Sequence, residues 1–222
     1  MKKYYTILAI FLFFSFTIAK SQSGLYLRTQ FWSGGSLDVS WLYFNQSKKI
    51  VRNPIYGVNP LQLDKEVAEN KSNVGTYIIS GNKMTIDWAD GKKQTINIEF
   101  KNNDLSGFDG GVCSKAKPFT FKYFSNKTYS GTAIYGSVGR SLTFTFGSNG
   151  QFTNKRLGSI SGSGNTSGAA ASMSEETGIY QINGNTILFK YANGKEWRVI
   201  AQPYDLGNEE ILINDQLFRQ KM

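Results

Sequence analysis

The 222-residue chain contains no histidine and one cysteine, Cys113. Without imidazole there is no Ser-His-Asp or Cys-His nucleophile system, no side chain that titrates unperturbed near neutrality, and none of the commonest transition-metal ligand. A single thiol cannot build a zinc site or close an intramolecular disulfide. Cys113 is expected as a small buried hydrophobe, with pairing to another chain or a reactive thiol as the alternatives, and core packing must hold the fold together. Helical periodicity is nearly absent, with one short candidate at 61–69. No GxSxG, P-loop or dinucleotide fingerprint occurs, and the Gly-rich stretch 158–168 lacks the strand-to-helix setting of a phosphate cradle. No Lys/Arg run reaches the length of a nucleic-acid patch, so nucleic acid is not expected as a partner. These gaps predict no metal, no cofactor and no enzyme.

Carboxylate chemistry is the one catalytic option that survives on paper, since a glycosidase needs only two acids about 5–10 Å apart. The candidates are Asp87, Asp90, Asp109, Glu196 and Asp205. Asp90 sits in a turn signal, Asp87 has outward strand parity, and Glu196 faces away from Trp197. All read as surface or turn residues. Residues 87–91 hold two acids but not the oxygen series of a calcium loop.

Long apolar runs are also missing, apart from one near the start. Lys2 and Lys3 precede an apolar run over 7–18, followed by Ala19-Lys20-Ser21. That is the anatomy of a secretory signal cut after Ser21, and the run is shorter than the roughly 20 apolar residues that span a bilayer. The protein is expected to be exported, to the periplasm or beyond the cell, with no transmembrane segment once the signal is removed. Removal takes away three lysines and no acid, lowering the formal charge from +9 to +6. A mildly basic surface favours anionic partners such as acidic polysaccharide, lipid head groups or an acidic protein, although these charges are scattered.

What the chain does have is a repeat. Residues 75–92 (GTYIISGNKMTIDWADGK) recur ungapped at 178–195 (GIYQINGNTILFKYANGK), an offset of 103 with eight identities. Duplication at this spacing points to a repeated β unit. In the first copy Tyr77 and Ile79 share a face, and Met84, Ile86 and Trp88 alternate with polar residues, as do Ile96, Ile98 and Phe100. The second copy keeps the parity at Tyr180 and Ile182, at Ile187, Phe189 and Tyr191, and at Trp197, Val199 and Ala201. Period two marks half-buried strands. Ser80-Gly81 and Asn183-Gly184, then Asp90-Gly91 and Asn193-Gly194, supply turn residues that tolerate positive φ, so each unit contains an up-and-down meander.

With six to eight short strands per half, the expected fold is all-β: two tandem small antiparallel β-barrel units. The expected organisation is a signal peptide at 1–21, a first unit at 22–116, a junction at 117–128 and a second unit at 129–222. One larger barrel with pseudo-twofold symmetry is the alternative. Insertions at 54–74 and 158–174 fall between the third and fourth strands of their units. The second, rich in Gly, Ser and Ala with no apolar period, is expected to be mobile.

Phe146 with Ser148-Asn149-Gly150, then 178–185 and 187–195, form a Phe–turn–Gly-x-Tyr-x-Ile-x-Gly-Asn pattern closing on Asn-Gly-Lys. This resembles the small lipocalin-like domains of exported bacterial proteins. The first copy departs from it, with Ser47-Lys48-Lys49 where the hairpin glycine belongs. The resemblance implies a calycin-type barrel and carries over no functional residue, since many such domains have no assigned ligand or reaction.

Aromatic residues are plentiful, with four Trp, 12 Tyr and 16 Phe. Trp88 and Trp197 have inward parity. Trp32, Trp41 and Tyr56 fall near strand ends or in the first insertion, where an exposed ring could stack on a sugar or dock a protein; packing is the competing role for each. The expectation is a non-enzymatic binding or assembly module acting on an envelope or extracellular protein or glycan. A carrier of a small apolar ligand inside one barrel is the second option, and a carboxylate-based glycan hydrolase the third.

Overall fold

The computed structural model describes residues 22–35, 37–135, 138–161, 169–204 and 209–221. The expected signal segment and Asp205 lie outside them. The period-two alternation resolves into two closed antiparallel barrels of eight strands each. The first runs β1 (Gly24–Phe31), β2 (Leu37–Phe44), β3 (Lys49–Arg52), β4 (Val74–Ser80), β5 (Lys83–Trp88), β6 (Lys93–Lys101), β7 (Asp104–Phe108) and β8 (Gly111–Lys115), with β8 pairing back onto β1. The second runs β9 (Lys127–Tyr135), β10 (Val138–Phe146), β11 (Gln151–Ser161), β12 (Ala169–Asn183), β13 (Thr186–Tyr191), β14 (Glu196–Pro203), β15 (Glu210–Ile213) and β16 (Gln216–Gln220), closed by β16 on β9. Because each half closes on its own first strand, the single larger barrel is ruled out. No helix among the described residues is long and apolar enough to cross a membrane.

The repeat occupies β4–β6 and β12–β14, and its glycines have distinct causes. A Cβ on Gly75 would lie 2.8 Å from the Asp87 carbonyl oxygen, and one on Gly178 would collide with the Lys190 carbonyl. These two are kept small by close approach of the neighbouring strand. Gly81 and Gly184 instead occupy the first central position of two-residue turns at φ +59°, so the central pairs are Gly81-Asn82 and Gly184-Asn185.

Eight strands enclose only enough room for side chains or one small ligand. Here side chains take it. In the second barrel Phe144 stacks on Phe189 at 5.2 Å, and Phe146 meets Tyr180 edge-on at 4.9 Å. In the first, Phe44 meets Tyr26 at 5.8 Å and Tyr77 at 5.3 Å. One end of each barrel is sealed. Gln22 closes the first: its N–H donates to the Tyr77 hydroxyl (2.9 Å), which donates back to the Gln22 carbonyl (3.0 Å), and Tyr26 donates to its Oε1 (2.9 Å). The first insertion carries helix α1 (Leu63–Glu69), and the junction closes the second barrel through the short helix α2 (Phe121–Phe124). Phe121 stacks on Tyr180 at 5.1 Å, and Phe124 is fully buried among Tyr129 and Phe146.

The barrels pack against each other through the outer face of β1 and β2. Leu25, Leu27 and Trp41 bury against Val58, Ile200 and Leu212. Part of the first insertion straps the two together: Val58 and Asn59 both donate backbone N–H groups to Thr186 Oγ1, at 2.8 and 3.0 Å.

Two expectations change. The Gly/Ser/Ala insertion is not simply loop, because β11 and β12 continue pairing through it to Ser161 opposite Ala169. Backbone groups form a ladder without help from side-chain periodicity. Residues 162–168 lie outside the described residues. The C-terminal run of Ile211, Ile213, Leu217 and Phe218, which the sequence alone suggests as one last strand disturbed near Asp215, is instead the β15–β16 hairpin, turned at Asn214 (φ +52°) and Asp215.

Candidate functional site

The unsealed end of the first barrel forms a polar mouth of about 530 Å³. It is built from the residues that continue the inward strand parity beyond the core positions. Tyr26 is core on β1, so Arg28 and Gln30 point into the mouth; Leu42 and Phe44 are core on β2, which places Asp38 and Ser40 there. Ile50 does the same for Arg52 on β3. Asn53, Asn73, Phe108, Asp109 and the rim residue Trp32 complete the lining.

Arg28 is the framework of this mouth. It is buried, and its Nε donates to the Phe108 carbonyl (2.9 Å), Nη1 to Asp38 Oδ2 (3.0 Å), and Nη2 to the Asp109 carbonyl (3.0 Å) and to Gln30 Oε1. A guanidinium with four of its five donors bonded fixes the ends of three strands and the β7–β8 turn. Arg52 is held differently. Its Nε donates to Asn73 Oδ1 at 2.7 Å, and its Cζ lies 5.2 Å from the Trp88 ring centroid. Beneath the mouth, burial pushes the Cys113 thiol up to about 12, so it is an inert core group rather than a nucleophile.

The matching positions of the second barrel carry different chemistry. Strand register places Asn154 where the first barrel has Arg52, and Tyr191 where it has Trp88. Asn154 is fully buried and donates to the Tyr191 hydroxyl at 3.3 Å, while its Oδ1 makes no hydrogen bond. Directly opposite, Glu176 lies 3.5 Å from Arg156, an ion pair whose Oε2 also makes no hydrogen bond. A separate opening of about 560 Å³ above them is lined by Arg140, Leu142, Arg156, Ser172, Ser174 and Gln216, among others.

The three aromatic candidates from the sequence separate. Trp32 is 55% exposed on the rim of the first mouth. Trp41 is not a surface contact: it is 3% exposed between the barrels, with Nε1 donating to the Asn214 carbonyl at 2.6 Å. The reason is that β1 and β2 bury their outer face as well as their inner one. Tyr56 is half-buried against α1, with Lys65 5.5 Å from its ring and Glu69 hydrogen-bonded to its hydroxyl, which raises the phenol pKa. It does not line the mouth.

Among the carboxylates, Asp87 is paired with Lys93 at 3.1 Å and Glu196 with Lys190 at 3.5 Å, both on the outside. Asp90 is held below its usual range by the Lys92 backbone N–H, and Asp104 by its hydrogen bond from Lys115. No group of three or more Cys, Asp or Glu is placed to hold a metal ion among the described residues.

Arg28, Arg52, Asp38 and Asn73 were not anticipated from the sequence. A charged residue at inward parity was the available signal. It was masked in β1, where Leu25 and Leu27 make the outward face look like the core-facing one. Compared with known proteins, the chain matches no family model, no curated protein and no solved structure.

Proposed function

We propose that this protein is an exported, non-enzymatic binding module whose working surface is the mouth of its first barrel, and that its ligand is a glycan of the cell envelope or extracellular space. The observation that carries this reading is the pairing of an exposed Trp32 with a fixed polar floor in one concave site. A flat aromatic face beside convergent hydrogen-bonding groups suits a sugar ring. The aromatic filling of both interiors weighs against an apolar carrier. The missing histidine, and the downward displacement of Asp90 and Asp104, weigh against catalysis, because a general acid needs a raised carboxyl pKa. Export is supported by the composition of residues 1–21, and lipocalin-like ancestry by the repeated Gly-x-Tyr-x-Ile-x-Gly-Asn motif on an up-and-down eight-stranded barrel.

A protein partner is the second reading. Phe31 (77% exposed), Leu37 and Val112 form an apolar patch on the outer wall beside the rim. Affinity electrophoresis of the intact protein in soluble neutral and acidic polysaccharides separates the two. Retardation that Trp32→Ala weakens roughly tenfold in Kd, about 1.4 kcal/mol, is the expected outcome. Retardation by none of them contradicts the glycan reading and leaves the protein-docking one.

A further inference from the structure

We propose that the first mouth takes the carboxylate of an acidic sugar on the guanidinium of Arg52. The inference rests on the glycan reading above and names the ligand class. Arg28 is already committed, since four of its five donors go to Phe108, Asp38, Gln30 and Asp109 and its charge is paired with Asp38. Arg52 is anchored on one face and one edge only: Trp88 lies under it, and Asn73 takes its Nε. Behind Asn73 the support continues, with Asn73 Nδ2 donating to Asn70 Oδ1 at 2.7 Å and Asn70 Nδ2 to Glu66 Oε2 at 3.2 Å. Glu66 is itself fully buried and accepts the Tyr56 backbone N–H at 2.8 Å. The terminal Nη groups of Arg52 make no hydrogen bond or ion pair among the described residues, and the side chain lines both the mouth and the adjoining groove over Trp88. A guanidinium fixed in advance with its outer edge free is suited to bidentate recognition of a carboxylate or phosphate, and preorganisation lowers the cost of binding.

The neighbours choose between those two anions. The charges lining the mouth, Arg28 and Arg52 against Asp38 and Asp109, already cancel, with Arg28 paired to Asp38, so a phosphate dianion brings more charge than the one unpaired arginine offsets, while a sugar acid brings one negative charge plus hydroxyl donors. The second barrel provides an internal contrast, because Asn154 and Tyr191 replace Arg52 and Trp88 and leave spare acceptors instead of spare donors.

The test is isothermal titration of the intact protein with oligogalacturonate and with the same oligomer methyl-esterified at its carboxylates. The expected result is a tenfold or greater preference for the free acid, lost in Arg52→Gln, partly retained in Arg52→Lys, and unchanged in Arg156→Gln. Arg52→Lys keeps a charge over Trp88 and carries the test if Arg52→Gln does not fold. Equal affinity for acid and ester, or a preference that survives Arg52→Gln, overturns the inference. If acid and ester bind equally and Trp32→Ala weakens both, the glycan reading stands without it; if neither binds and neutral glycans also fail, both fall.

Discussion

Lys48 holds a conformation that its counterpart assigns to glycine. The turn after β2 closes with Asn45 N–H on the Lys49 carbonyl (3.0 Å), and the turn after β10 closes the same way with Gly147 on Gln151 (2.7 Å). The left-handed position is Gly150 (φ +81°) in the second and Lys48 (φ +55°) in the first. An L-residue there costs about 1–2 kcal/mol, against about 0.5–1 kcal/mol of extra chain entropy lost by glycine. Lys48→Gly is therefore expected to stabilise the fold by up to about 1 kcal/mol, read as a raised urea midpoint with an unchanged m-value; a lowered midpoint contradicts this. The departure of the first turn from the second is thus a change of residue and not of backbone. Residue by residue, the repeat was legible because Tyr77, Ile79 and Trp88 alternate with exposed positions. Arg28 and Arg52 were not, because a charged side chain at inward parity acquires meaning only once the sealed and open ends of the barrel are known.

At the scale of elements, the first insertion is an inter-barrel strap. Thr186 Oγ1 accepts two backbone N–H groups from Val58 and Asn59, and Asn59 Nδ2 reaches the Asn183 carbonyl at 3.2 Å. Thr186→Val keeps the shape and orphans both amides, so it is expected to cost about 1–3 kcal/mol. Urea unfolding checks this, and a change below 0.5 kcal/mol, about the scatter of neutral surface substitutions, would show that the strap is not structural. The sequence placed this insertion correctly between the third and fourth strands but offered no sign of its partner, which lies more than 120 residues away in the chain. The β11–β12 hairpin was misjudged for a related reason: side-chain composition reports on packing, whereas a strand ladder needs only backbone pairing.

For the whole molecule, titration behaviour follows from what is absent and what is buried. With no histidine, stability should be flat between about pH 5 and 8. Burial raises Tyr26 and Tyr180 from 10.0 to about 12, with the Asp104 charge adding to Tyr26, and raises Cys113 from 9.0 to about 12. A raised folded pKa favours the neutral form, so this stability is complete below the unfolded values and is lost as pH rises toward 12. Thermal melts should hold level to about pH 9 and then fall; a main transition between pH 5 and 8 would contradict this.

The same scale carries the functional claim, that a duplicated scaffold acts where its copies differ. Amide and indole chemical shifts of the isotopically labelled protein, titrated with oligogalacturonate, test it most directly. The account predicts the largest shifts at the Trp32 indole, Asn53 and Asn73, and silence at Asn154, Tyr191 and the Gly81-Asn82 and Gly184-Asn185 turns. Shifts centred on the second barrel or on the repeat turns, with the first mouth unmoved, would contradict it.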